Sequence, residues 1–218
     1  VSAFQVALEY RRLGIEDSAQ KWLARSLARD SRFAAAHEET ARVWRDWGLP
    51  EYAVGHAYRA VYFAPASASA QNTLGTVLDA LGRLTEARAA YEKAAALDPG
   101  AAWALNNLCY LDFRLGRLDE ARRQCQAAIR LSPGLSAAHN NLGLAFAATG
   151  DLGKAGEAFF AAGDEAAAHY NLGVIHLAQG RYAAAAEAFE KAIEVRPAFT
   201  AAKQRAHNAR MRSLTTGR

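Results

Sequence analysis

The stretch ASAQNTLGTVLDALGRLTEARAAYEKAAALDPGA, Ala68–Ala101, decides the fold. Within it Leu74, Gly75 and Leu78 recur at the spacing of one helix face, and Ala87, Tyr91 and Ala94 mark a second such face. Between the two sets stands Gly82, which supplies the left-handed residue that closes a helix. After the second set Pro99 cannot continue a helix and pushes Asp98 towards extended backbone. The stretch therefore reads as a helix–turn–helix hairpin. Small residues at Gly75, Ala87 and Ala94 let its two helices approach closely.

The same punctuation recurs along the chain. Gly14, Gly48, Gly82, Gly116 and Gly150 are each 34 residues apart, and Gly180 follows after 30. Pro65, Pro99 and Pro133 share that period, with Pro197 a further 64 on. Two unrelated residue types on one period define a repeat. The units are 1–33 (truncated), 34–67, 68–101, 102–135, 136–165 and 166–199, followed by 200–218. The 53 alanines among 218 residues are then mostly close-contact positions of a copied hairpin. So much alanine, with five prolines and one methionine, argues against a sheet. With 51% hydrophobic and 22% charged residues, disorder is excluded. No apolar run approaches the ~18–20 residues that cross a bilayer. The start at Val1, with no signal-like segment, reads as part of something longer.

Leu74-Gly75 through Leu78, then Ala87, Tyr91, Ala94 and Asp98-Pro99, resembles the tetratricopeptide repeat family. So do Leu142-Gly143, Phe146, Ala155 and Phe159, and Leu172-Gly173, Ala185, Phe189, Ala192 and Pro197. The resemblance covers roughly residues 1–199. It implies an all-α, right-handed superhelical solenoid of hairpins with a concave groove lined by the first helices. The chain departs from the family pattern at Ser31, which replaces the corner proline, and at Asp112, where an aromatic is usual. The unit 136–165 is four residues short and has lost its corner. A shortened second helix ending near Ala162-Gly163 is expected, with Asp164 capping the next helix and a local change of curvature over 160–167.

Catalysis has little support. There is no glycine-rich phosphate loop, no metal-spaced Cys/His cluster and no His-Glu-x-x-His, so no catalytic residue, metal or cofactor is expected. His37, His139 and His169 fall at position 4 of their units, and His176 and His207 at positions 11 and 8, all packing places. A stacked His139/His169 pair could bind a metal, but the pattern does not require it. Cys109 and Cys125, at positions 8 and 24 of one unit, read as two buried thiols, because ordinary helix spacing exceeds the reach of a disulfide.

The other face of the first helices is the sharper candidate. Asn107, Asn141 and Asn171 all fall at position 6, with Asn106 and Asn140 beside two of them. A carboxamide carries both an acceptor and donors, so a column of them can hold an extended peptide by its backbone. The column resembles the asparagine ladder in the tetratricopeptide part of O-linked N-acetylglucosamine transferases, over three repeats. The alternative is a common filler with solvated amides. Beside them stand Trp103, Tyr110, Phe113 and Arg114, then Leu144, Tyr170, Val174 and Leu177, an apolar surface suited to an interface. Upstream the same positions carry Glu38, Glu39, Arg42, Arg45 and Asp46.

The net charge is +4, yet Lys203, Arg205, Arg210, Arg212 and Arg218 alone contribute +5 and the preceding 199 residues sum to −1. A basic tail on a neutral body disfavours nucleic acid as the groove's ligand. Residues 200–212 read as a capping helix, with Ala202, Ala206 and Ala209 turned inward. The reading is a non-catalytic scaffold that binds a peptide segment or helix of a protein partner. The resemblance to Ala-rich bacterial arrays adds a lean towards a pilus or secretion assembly factor. The alternative is the substrate-recognition arm of a larger enzyme such as a glycosyltransferase.

Overall fold

The computed structural model describes residues 2–216. Among them are thirteen helices and no strand. First helices are α1 (Ala3–Arg12), α3 (Ala34–Asp46), α5 (Ala68–Ala80), α7 (Ala102–Arg114), α9 (Ser136–Ala148) and α11 (Glu165–Ala178). Second helices are α2 (Glu16–Arg29), α4 (Pro50–Phe63), α6 (Leu84–Leu97), α8 (Leu118–Leu131), α10 (Leu152–Ala161) and α12 (Tyr182–Val195). The last helix is α13 (Thr200–Thr216). Helices start at the first residue of most repeats, as the period of glycine and proline requires. The chain forms two compact units, one ending at Leu111 and the other beginning at Asp112.

The hairpin turns are copies of one another. Each position-15 glycine has positive φ, between 70° at Gly14 and 82° at Gly150. The residue after it donates back to the carbonyl five residues earlier, as in Leu49 N to Trp44 O and Arg83 N to Leu78 O, both 2.9 Å. That bond satisfies a carbonyl the helix end would otherwise leave open. At the other end of the second helix, Ala64, Asp98, Ser132 and Arg196 leave the helical region, with φ from −132° to −140°. Each precedes a proline, which disfavours helical geometry there. Asp30 adopts the same φ of −141° before Ser31, so the corner forms without proline.

The close approach of paired helices rests on a glycine against a ring. In the first unit a Cβ on Gly75 would lie 2.5 Å from the Tyr91 ring. In the second, Gly143 meets Phe159 and Gly173 meets Phe189 at 2.5 and 2.6 Å. Phe159 and Phe189 are fully buried, which stabilises each hairpin by about 1.5–3 kcal/mol per ring. Phe159 closes a cluster with Ala147, Ala155 and Ala168, and Phe189 one with Ala185, Ala186, Ala206 and Ala209.

The same two positions in the repeat 102–135 hold Cys109 and Cys125, both fully buried. Both are disulfide-bonded. This corrects the expectation of two thiols. The spacing argument used a general helix separation, whereas positions 8 and 24 approach closely in other repeats, as at Gly75 with Tyr91 and Gly143 with Phe159.

In the repeat without a corner, the short second helix and the Asp164 cap are as the sequence predicts. α10 has 10 residues where the other second helices have 14. Ala162 stays helical, Gly163 turns the chain at φ 87°, and Asp164 caps α11 by accepting from Ala167 N at 3.0 Å. α13 packs on α12 through Ala202, Ala206 and Ala209. Arg218, counted in the basic tail, lies outside the described residues.

Candidate functional site

In the first unit the first helices are joined sideways by a polar ladder. Arg11 of α1 reaches Asp46 of α3 at 3.1 Å and Glu39 at 3.5 Å. Arg42 of α3 bonds Glu39 on its own helix, and Ser69 and Thr73 on α5 at 2.9 and 3.1 Å. Glu38 accepts from Arg42, Ser69 and Thr73 together. Arg45 donates to Thr76 at 2.7 Å. These upstream charges are therefore spent between repeats. Sequence reading placed them on the right face but missed their partners, which stand 27–35 residues away.

Asn107 extends that ladder. Its Nδ2 donates to Oδ1 of Asn72 on α5 at 2.8 Å, a partner the position-6 column did not include. On α7 the stripe Trp103, Asn106, Asn107 and Tyr110 follows one helix face, with the end residues about 10.5 Å apart along the axis. Trp103 and Tyr110 are 38% and 41% exposed, high for rings of this size, and the two asparagines between them are half-buried. Phe113 is half-buried and Arg114 exposed at the end of the same helix.

In the second unit, Nδ2 of Asn171 on α11 donates to Oδ1 of Asn140 on α9 at 3.2 Å. Asn141 and Leu144 are half-buried on α9. Leu144 packs against the Phe159 cluster, and Tyr170, Val174 and Leu177 against the Phe189 cluster. Tyr170 is stacked on Phe199 at 4.9 Å and lies 5.5 Å from Phe189. The apolar side chains here divide their surface between their own chain and the open face.

The position-4 histidines are staples. His37 Nε2 donates to the Ser31 carbonyl, and His139 Nε2 to the Pro133 carbonyl, both at 2.9 Å and both across the corner. His169 has no such corner and sets its ring edge-on to Phe160 at 5.0 Å. Because a carbonyl only accepts, His37 carries its proton on Nε2 and presents Nδ1 to His56. His56 Nδ1 then donates across 2.9 Å. Burial first, then His37 and Arg59, lower the His56 pKa from 6.5 to about 4. Among the described residues no group of three or more His, Cys, Asp or Glu is placed to hold a metal. Nor is any described helix long and apolar enough to cross a membrane.

Models of the tetratricopeptide repeat family match residues 53–102, 78–142 and 166–199. The chain belongs to that family, whose fold serves as a protein–protein interaction scaffold. No curated protein matches the sequence. Among solved structures, the chain is similar to PilW, a type IV pilus biogenesis factor, with a TM-score of 0.81 and 22% identity, covering 93% of this chain and 95% of that one. It is similar to YrrB, a tetratricopeptide repeat protein with an unusual peptide-binding site, at 0.59 and 22%, covering 84% and 96%. A third similar structure is MamA, at 0.63 and 25%, covering 72% and 92%.

Proposed function

We propose that this chain is a non-catalytic scaffold that holds a peptide segment or helix of a protein partner against its first helices, centred on α7. The observation that carries this reading is the α7 stripe: two exposed rings, Trp103 and Tyr110, with Asn106 and Asn107 between them. Aromatic rings are favoured interface anchors, and carboxamides pair with a peptide's N–H and C=O together. Asn107 spends one N–H on Asn72, and its carbonyl oxygen and second N–H remain for a ligand by that count. On the second unit, Asn140, Asn141, Leu144, Tyr170, Asn171, Val174 and Leu177 supply the same chemistry. A bacterial pilus or secretion assembly is the setting we propose, supported by the full-length likeness of fold to PilW.

The test is selection of a random peptide phage library on the wild-type chain. Selected peptides should lose binding to Trp103→Ala and Tyr110→Ala while keeping it for Tyr52→Ala and Tyr62→Ala, whose exposed rings lie on α4. Equal binding to all four variants would remove α7 as the site.

A further inference from the structure

α4 carries an exposed ridge that its own chain leaves uncovered. Glu51, Tyr52, Gly55, Tyr58, Arg59 and Tyr62 are all exposed and fall within an arc of about 120° on that helix. Tyr52 and Tyr62 are 63% and 77% exposed, far more than rings of this size usually are. Each ring is nonetheless steadied from behind. Tyr52 lies 5.2 Å from Trp44 of α3, and Tyr62 lies 5.2 Å from Phe63. The Tyr58 hydroxyl accepts from Arg83 of α6 at 3.2 Å. Rings already held in place lose little freedom when a partner covers them.

Gly55 stands at the centre of this ridge. Glycine inside a helix weakens it relative to alanine, so its place there needs a use. Its φ is not positive, and a Cβ would meet nothing within 4 Å. The chain's own turns and packing therefore give it none. What it leaves is a notch among three rings, where a second backbone can come close.

The charges on the ridge are arranged about the same point. Glu51 precedes Gly55 by four residues and Arg59 follows it by four, while Tyr52 and Tyr58 stand three to either side. Among the described residues neither Glu51 nor Arg59 makes an ion pair. We propose that this ridge docks on the same ridge of a second copy, the two α4 helices antiparallel and crossing at Gly55 on a two-fold axis. Such a contact requires a surface that is its own complement. On each side of the axis, Glu51 and Tyr52 of one copy stand level with Arg59 and Tyr58 of the other. Tyr62 reaches the level of the exposed turn at Gly48-Leu49. The Glu51–Arg59 pair thus forms twice, about 6 Å along the helix to either side of the axis. A parallel pair would set Glu51 against Glu51 and Arg59 against Arg59, so the charges select the antiparallel one. α4 has 14 residues and is about 21 Å long and about 10 Å across. Its patch is smaller than the ~800 Å² per partner of a standard interface, which makes the dimer weak and reversible. The ridge belongs to a second helix, so dimerisation and peptide binding at α7 are separate properties.

The experiment is sedimentation velocity of the whole chain at low ionic strength, from about 5 μM to about 0.5 mM. The wild type should pass from monomer to dimer over that range. Glu51→Arg and Arg59→Glu should each weaken dimerisation at least tenfold, since like charges then face each other. Mixed in equal amounts, the two variants should recover wild-type association, because one chain carries two cations and the other two anions at facing places. Misfolding cannot produce that recovery, and circular dichroism checks each variant alone. Gly55→Ala should raise the melting temperature, as alanine favours helix and meets no neighbour, and yet weaken association. A wild type that stays monomeric throughout, a dimer indifferent to either reversal, a mixture no better than its components, or a Gly55→Ala chain that associates like the wild type would each overturn the proposal.

Discussion

Asn107 Nδ2 donates to Asn72 Oδ1 over 2.8 Å, so the asparagine column ties one repeat to the next before any partner arrives. Such a bond contributes roughly 1 kcal/mol. Asn107→Ala and Asn72→Ala should each lower the unfolding free energy by about 0.5–1.5 kcal/mol. The double variant should cost less than their sum, because either change alone already breaks the bond. Urea denaturation of the four proteins of the cycle measures the coupling. Strict additivity would show that the pair contributes nothing.

Gly143 is held against Phe159 so closely that an added Cβ would sit 2.5 Å from the ring. Phe159 is fully buried and has no room to retreat. Gly143→Ala should therefore destabilise the chain by about 1–3 kcal/mol, the range for an overpacked core. Shrinking the ring in the same chain, with Phe159→Leu, should recover part of that loss. Gly134→Ala, where nothing lies within 4 Å, serves as the neutral control. Thermal melts of the wild type and the three variants decide it, and a neutral Gly143→Ala would show that the hairpin can open without cost.

The fold was legible because its signals are local. Gly82 sets the turn and Pro99 ends the second helix within a single repeat, and copying made the period visible. The loss of the corner at Ala162-Gly163 was legible for the same reason. The lateral ladder was not, since its bonds cross between repeats at unlike positions: Glu38 finds Ser69, and Asn107 at position 6 finds Asn72 at position 5. The two disulfide-bonded cysteines were misread because sequence shows that positions 8 and 24 are small or aromatic, not how near they come. On α13, charge alone made Arg205 and Arg212 look like a solvated cap. The structure sets each beside a ring, Arg205 against Tyr170 and Arg212 against Tyr182.

Cys109 and Cys125 are both disulfide-bonded and fully buried. Losing a disulfide typically costs about 2–4 kcal/mol, chiefly through the freedom it returns to the unfolded chain. Melting temperature should therefore fall in tris(2-carboxyethyl)phosphine, once reduction is verified by mass after alkylation. Cys125→Ala should show a lower melting temperature that no longer responds to reductant. An unchanged melting temperature in fully alkylated protein would mean that the crosslink does not stabilise the fold.

The His37–His56 pair gives stability a pH dependence with a definite sign. His56 binds its proton less well in the folded chain, where its pKa is lowered to about 4, than in the unfolded chain near 6.5. Between those values the unfolded state holds more protons, so its contribution is complete above pH 6.5 and is lost as pH falls towards 4. Allowing for solvent screening of a half-buried ring, the loss is on the order of 1–2 kcal/mol. His176, also lowered by burial, acts in the same direction. Glu86, Asp151, Asp164 and Glu187 are lowered as well, but from carboxylate values, so they act mainly below the histidine window. Melting temperature should therefore decline from pH 7 to pH 5, and the decline should be smaller in His56→Gln. A wild-type curve flat over that interval, or one unaltered by the substitution, would show that His56 does not govern it.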